Sequence, residues 1–153
     1  MREEALLYLK WYSWCWLIER YHYVLNSGCA VEKLQLRTAE RLSRAFAVYS
    51  IMAWRLLWLT YEVRVNPNQP CTVILENYEW QALYGFINKT TRLPQTPPTL
   101  EEAVRWIAKL GGFLNRKNDG YPGVKVLWRG MTRLRDIANT WILLNYNSTN
   151  CLN

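Results

Sequence analysis

The chain has 153 residues, nineteen of them Lys or Arg and twelve Asp or Glu, for a net charge of +7. Half of the residues are hydrophobic and 20% are charged. These proportions exclude intrinsic disorder, and seven Gly with six Pro exclude a collagen-like or Pro/Gly-rich chain. The length suits one domain, or parts of two, with a real core.

In chain order, apolar periodicity predicts a first helix over about Glu3–Leu25. Leu7, Trp11, Trp14, Ile18, Tyr21 and Leu25 recur three or four residues apart and form one helical stripe. Asn26-Ser-Gly28 supplies the stop, with Gly28 able to take positive φ. Thr38 is a good N-cap for a second helix, with Glu40 in its first turn. Its stripe is Leu42, Phe46, Tyr49, Ala53, Leu56 and Val63, and Pro67 and Pro70 end it. The apolar stretch Ala45–Tyr61 is shorter than the ~20 residues of a membrane span and carries Arg55, so a buried amphipathic helix is expected and no membrane partner.

Cys71–Leu75 has the composition of a short strand, and Trp80, Leu83, Tyr84 and Ile87 mark a third helix. The Thr/Pro-rich segment Asn88–Thr99 reads as a loop. Thr99-Leu-Glu-Glu102 is a capping box for a helix that stops at Gly111-Gly112. After the polar turn Asn115–Gly123, a last helix over about Val126–Leu144 points Leu127, Met131, Leu134, Trp141 and Leu144 inward. Gly130 weakens it by about 1 kcal/mol relative to Ala. The tail from Asn145 to Asn153 is expected to fray.

Cys15, Cys29, Cys71 and Cys151 include no C-x-x-C pair, and His22 is the one histidine. That leaves no zinc set and implies reduced thiols in an intracellular protein; nothing after Met1-Arg-Glu-Glu resembles a signal peptide. Nine Trp and ten Tyr are more than a core of this size hides completely. Either some line a binding surface, or part of the core lies outside this chain.

The charge is clustered. Arg105, Lys109, Arg116, Lys117, Lys125, Arg129, Arg133 and Arg135 lie within one segment with a single acid, Asp119. Such a segment suits a polyanion, DNA or RNA being the commonest; the alternative is a solvated helix face.

The first helix also has a polar row. Tyr12, Cys15, Glu19, His22 and Asn26 follow at spacings of 3, 4, 3 and 4, which places them on one edge of an α-helix. The stretch from Tyr12 to Cys29 resembles the signature helix of bacterial insertion-sequence transposases of family four, the relatives of transposon five. The family pattern is a Tyr, an Arg, a Glu and a Lys; Tyr12, Cys15, Glu19 and Asn26 occupy those positions with the spacing intact. Val31–Leu36, Ala53–Leu57, Ile107–Leu114 and the late L-W-x-G extend the resemblance over nearly the whole chain.

The resemblance implies a mainly α chain: the last helix of a ribonuclease-H-like core in residues 1–30, a long helix with a short segment and linker in 31–98, and a helical dimerisation region in 99–153. The core sheet would be absent. In the intact family, two aspartates and one glutamate hold two Mg²⁺ or Mn²⁺ ions for DNA cleavage and strand transfer (DDE chemistry). Glu19 matches the third carboxylate, as catalytic residue and metal ligand. Tyr12, Cys15 and Asn26 match positions that contact DNA. Here Cys15 stands for Arg and Asn26 for Lys, which removes two cations, and Asp119 and Asp136, the two aspartates of the chain, both follow Glu19.

The expectation is therefore a C-terminal part of a transposase that is not catalytic alone and binds no metal or small-molecule cofactor by itself. The alternative is a helical interaction module that binds DNA or a full-length transposase and modulates it. Arg105, Lys109, Arg129, Arg133 and Arg135 are the expected DNA contacts. Met131, Leu134 and Trp141 are the expected contacts for self-association. The expected setting is the bacterial cytoplasm, at the nucleoid if DNA is bound.

Overall fold

The computed structural model describes residues 2–116 and 119–150. They form five α-helices: α1 (Arg2–Tyr23), α2 (Ala39–Val65), α3 (Asn77–Asn88), α4 (Leu100–Leu110) and α5 (Val124–Asn150). No strand occurs among the described residues, so the chain is mainly α as expected; one isolated antiparallel bridge joins Pro70 to Thr99. Lys117 and Cys151 lie outside the described residues.

The chain divides into two units, Met1–Trp58 and Leu59–Asn153, with the boundary inside α2. The sequence placed its boundaries near residues 30 and 98. Within the second unit, α3 packs with α4 and α5 in one core.

In the first unit, α1 does not end on a left-handed glycine. It runs into a π turn over Val24–Gly28, closed by the Cys29 N–H donating to the Val24 carbonyl at 3.0 Å. The left-handed residue is Ala30, at φ 53°, not Gly28. Val24, Leu25 and Cys29 are buried, and the Tyr21 hydroxyl donates to the Ser50 carbonyl at 3.2 Å, tying the end of α1 to α2. Thr38 caps α2 as expected, its hydroxyl accepting from the Arg41 N–H at 3.3 Å.

The stripes behave differently along their lengths. Leu25 is buried, but Trp11, Trp14 and Ile18 are 50%, 55% and 57% exposed. On α2, Leu42 and Phe46 are exposed while Ala53, Leu56 and Val63 are buried. Much of the amphipathic surface of this unit is left open to solvent.

The second unit has a closed core. Leu59, Leu75, Leu83, Leu100, Ile107, Leu127 and Leu134 are all fully buried. Cys71–Leu75 is not a strand but a 3-10 turn at Cys71–Val73 that feeds Ile74 and Leu75 into this core. The Cys71 carbonyl accepts from the N–H groups of Ile74 and Leu75, at 3.1 and 2.9 Å, and the Cys71 N–H donates to Pro98. Local pairing within the turn satisfies groups that a strand would offer to a neighbour.

Two capping boxes start the short helices. The Thr99 hydroxyl accepts from the Glu102 N–H at 3.3 Å while the Glu102 carboxylate accepts from the Thr99 N–H at 2.9 Å. Glu76 and Glu79 do the same for α3. Gly111 ends α4, and Gly112 takes the left-handed conformation at φ 94°. The last helix is longer than expected, because its helical backbone continues to Asn150. No described helix is long and apolar enough to cross a membrane.

Candidate functional site

The polar row on α1 is presented to solvent. Tyr12 is 75% exposed, and Cys15, Glu19, His22 and Asn26 are all exposed. Tyr12, Cys15, Glu19 and His22 share the α-helical edge, but Asn26 falls inside the π turn. The i→i+5 pairing there widens the turn and rotates Asn26 off the row that an unbroken α-helix would give it. Among the described residues, no three His, Cys, Asp or Glu side chains gather in a metal-binding group. Glu19 belongs to no such group among the described residues. Elsewhere on α1, Arg20 lies over the rings of Trp16 and Tyr23, and Lys10 over Trp14.

The basic segment separates into engaged and open cations. Arg105 donates to Glu101 at 2.9 and 3.1 Å and also to the Asn115 side chain. Arg133 donates to the Leu110 carbonyl, which caps the C-terminal end of α4. Arg135 lies 3.9 Å from Asp136, with both side chains well exposed. Lys109 and Arg129 are exposed to solvent. The structure thus brings Lys109 and Arg133 to one groove and gives Arg105 a local structural task.

The apolar residues of α5 also separate. Met131 is 4% and Leu134 1% exposed, so these two expected self-association residues lie inside the fold. Both follow the helical period of Leu127, which is buried on the same face. Trp141 is half-buried, and its ring lies over α3 at Gly85, where an added Cβ would sit 3.0 Å from the ring. Beyond it, Ile142 and Leu143 are 42% and 66% exposed. The sequence reading missed these two because the stripe was extended through Leu144, which the structure leaves 63% exposed. The signal was present in the run Trp-Ile-Leu-Leu at 141–144, which is apolar on every side of a helix.

A groove between α3 and α5 also escaped the sequence reading. One part, about 710 Å³, is lined by Phe86, Ile137 and Trp141 together with Lys89 and Arg92. A second part, about 530 Å³, shares Phe86 and Ile137 and is lined by Lys109 and Arg133. Phe86 is 56% exposed between them.

Two thiols are chemically quiet. Burial pushes Cys29 and Cys71 up to about 11, whereas Cys15 is exposed.

Residues 51–143, well over half of the chain, match the family model described as the transposase Tn5 dimerisation domain. This stretch contains the whole closed core of helices α3 and α4 and most of α5. The chain belongs to the Tn5 transposase dimerisation-domain family.

Proposed function

We propose that this chain acts as the C-terminal helical part of an insertion-sequence DDE transposase, pairing with a second copy through the exposed end of α5 and not cleaving DNA by itself. The observation that carries this reading is the family match over the unit that ends in the exposed apolar residues of α5. Ile142 and Leu143 are adjacent, apolar and solvent-facing where the helix leaves the core. Large exposed apolar groups grouped in this way mark contact surfaces. The half-exposed Trp11, Trp14 and Trp16 on α1 support a place for that helix against the sheet of a ribonuclease-H-like core. In that setting Glu19 would be the third carboxylate beside two aspartates, with Mg²⁺ or Mn²⁺ supplying the activation of water and of the leaving oxygen.

DNA is the second proposed partner. Lys109, Arg129 and Arg135 are exposed cations on α4 and α5, suited to phosphate contacts that set register without reading sequence. A single carboxylate and an uncharged pair at Cys15 and Asn26 favour a non-catalytic role. The same features support the second reading, a module that joins a full-length transposase and modulates it. Sedimentation equilibrium at about tens of micromolar, the range of ~7 kcal/mol of association, tests the pairing. A dimer mass is expected, and a monomer across that range overturns it.

A further inference from the structure

We propose that the groove between α3 and α5 is a track for single-stranded nucleic acid, with Phe86 as its stacking platform and cations at both ends. This deepens the DNA-handling reading above and rests on it. Phe86 is more than half exposed, although it sits on a helix whose Leu83 and Ala82 are fully buried. Phe86 lines both parts of the groove. An exposed phenyl face between two open hollows offers a surface for a base, and every base has a π face that stacks without sequence preference.

The charge around the ring is one-sided. Lys89 and Arg92 line the larger part, which has no acidic lining residue among the described residues. Lys109 and Arg133 line the smaller part with one acid, Asp136. Asp136 has Arg135 beside it, at 3.9 Å. Basic side chains therefore line both hollows that Phe86 borders, an arrangement suited to following a phosphate backbone while bases stack. A duplex keeps its base faces stacked inside and cannot use Phe86 in this way, so the occupant is a single strand. The backbone that carries Lys89 and Arg92 is held in place, as is the Arg133 guanidinium. Lys89 sits in the left-handed cap of α3, and the Arg92 N–H donates to the Thr90 hydroxyl at 3.1 Å. Arg133 is held by the Leu110 carbonyl at the end of α4.

Fluorescence anisotropy with a labelled oligothymidylate and with a labelled duplex, on the full chain, tests the proposal. Phe86→Ala should weaken oligothymidylate binding about fivefold or more, the low end of what one stacking ring contributes, and leave duplex binding unchanged. The double variant Lys89→Asn, Arg92→Glu should lower the salt slope for the single strand by about 0.7 for each lost phosphate contact; asparagine keeps the left-handed conformation accessible at position 89. Circular dichroism of each variant, matched to the parent, shows that the fold is retained. Three results would overturn the track: no single-strand binding by the parent, equal loss of both nucleic acids in Phe86→Ala, or a groove variant that changes only the sedimenting mass. The last would assign the groove to a second copy. Duplex binding that persists while the single strand is ignored sinks this inference and leaves the wider DNA reading standing.

Discussion

Gly130 of α5 lies directly against the carbonyl of Ile107 on α4, so closely that a Cβ on Gly130 would be 1.9 Å from that oxygen. The relationship is reciprocal along the crossing, because a Cβ on Gly111 would be 2.0 Å from the Val126 carbonyl. Glycine at 130 costs the helix about 1 kcal/mol in propensity. Ile107 and Leu127 are fully buried at this crossing.

Gly130→Ala should therefore destabilise the second unit by about 3 kcal/mol despite its better helix propensity, because the colliding group is backbone and cannot rotate away. Gly120→Ala, with nothing within 4 Å of its Cβ, is the control and should be near neutral. Chemical denaturation followed by circular dichroism separates the two. Equal midpoints would remove the close crossing from the account.

Thr99→Ala should cost about 1 kcal/mol by opening the capping box with Glu102. Thr99 also pairs with Pro70, so amide exchange should quicken at both the start of α4 and the Cys71 turn. Unchanged exchange at Glu102 and Cys71 would show that the box contributes nothing.

What the sequence made legible follows from how local each signal is. The capping box, the Gly111-Gly112 stop and the periodicity of α1 through α5 are contained within a few residues, and the structure reproduces them. Cys71–Leu75 misled because β-branched composition reports burial as much as strand, and the turn buries Cys71, Ile74 and Leu75 without pairing them. Gly130 looked like a defect because its reason is a carbonyl more than twenty positions away. Met131 and Leu134 looked available for a partner because an apolar stripe does not say whether its cover is another helix of the same chain. Phe86 was missed because Lys89 and Arg92 were read as part of a linker, and only the fold sets them beside Trp141.

The thiols predict an alkaline limit. Cys29 and Cys71 rise from the ordinary 9.0 to about 11 through burial. Well below pH 9.0 both are protonated in the folded and unfolded chain, and they do not alter stability. As pH rises from 9.0 towards 11 the unfolded chain releases protons that the fold retains, so stability falls. In a Cys151→Ser background, a thiol reagent at pH 8 should label Cys15 quickly and Cys29 and Cys71 only after denaturant is added. Rapid labelling of all three in the native chain would contradict the burial.

No metal-dependent nicking is expected from this chain alone. Plasmid or duplex DNA incubated with Mg²⁺ or Mn²⁺ should stay intact, since one carboxylate does not hold the two ions that in-line displacement uses. Nicking that disappears in Glu19→Ala would refute the non-catalytic reading.

The central claim is that copies of this chain meet through the open end of α5. Leu143, 66% exposed, can be changed without touching the core, whereas Trp141 rests on Gly85 and its loss would disturb α3 as well. Sedimentation of the parent and of Leu143→Glu at about tens of micromolar therefore gives the direct test. A dimeric parent and a monomeric Leu143→Glu with the same helical circular dichroism is the expected result. A dimer that survives Leu143→Glu unchanged, or a parent that is already monomeric, would contradict the claim.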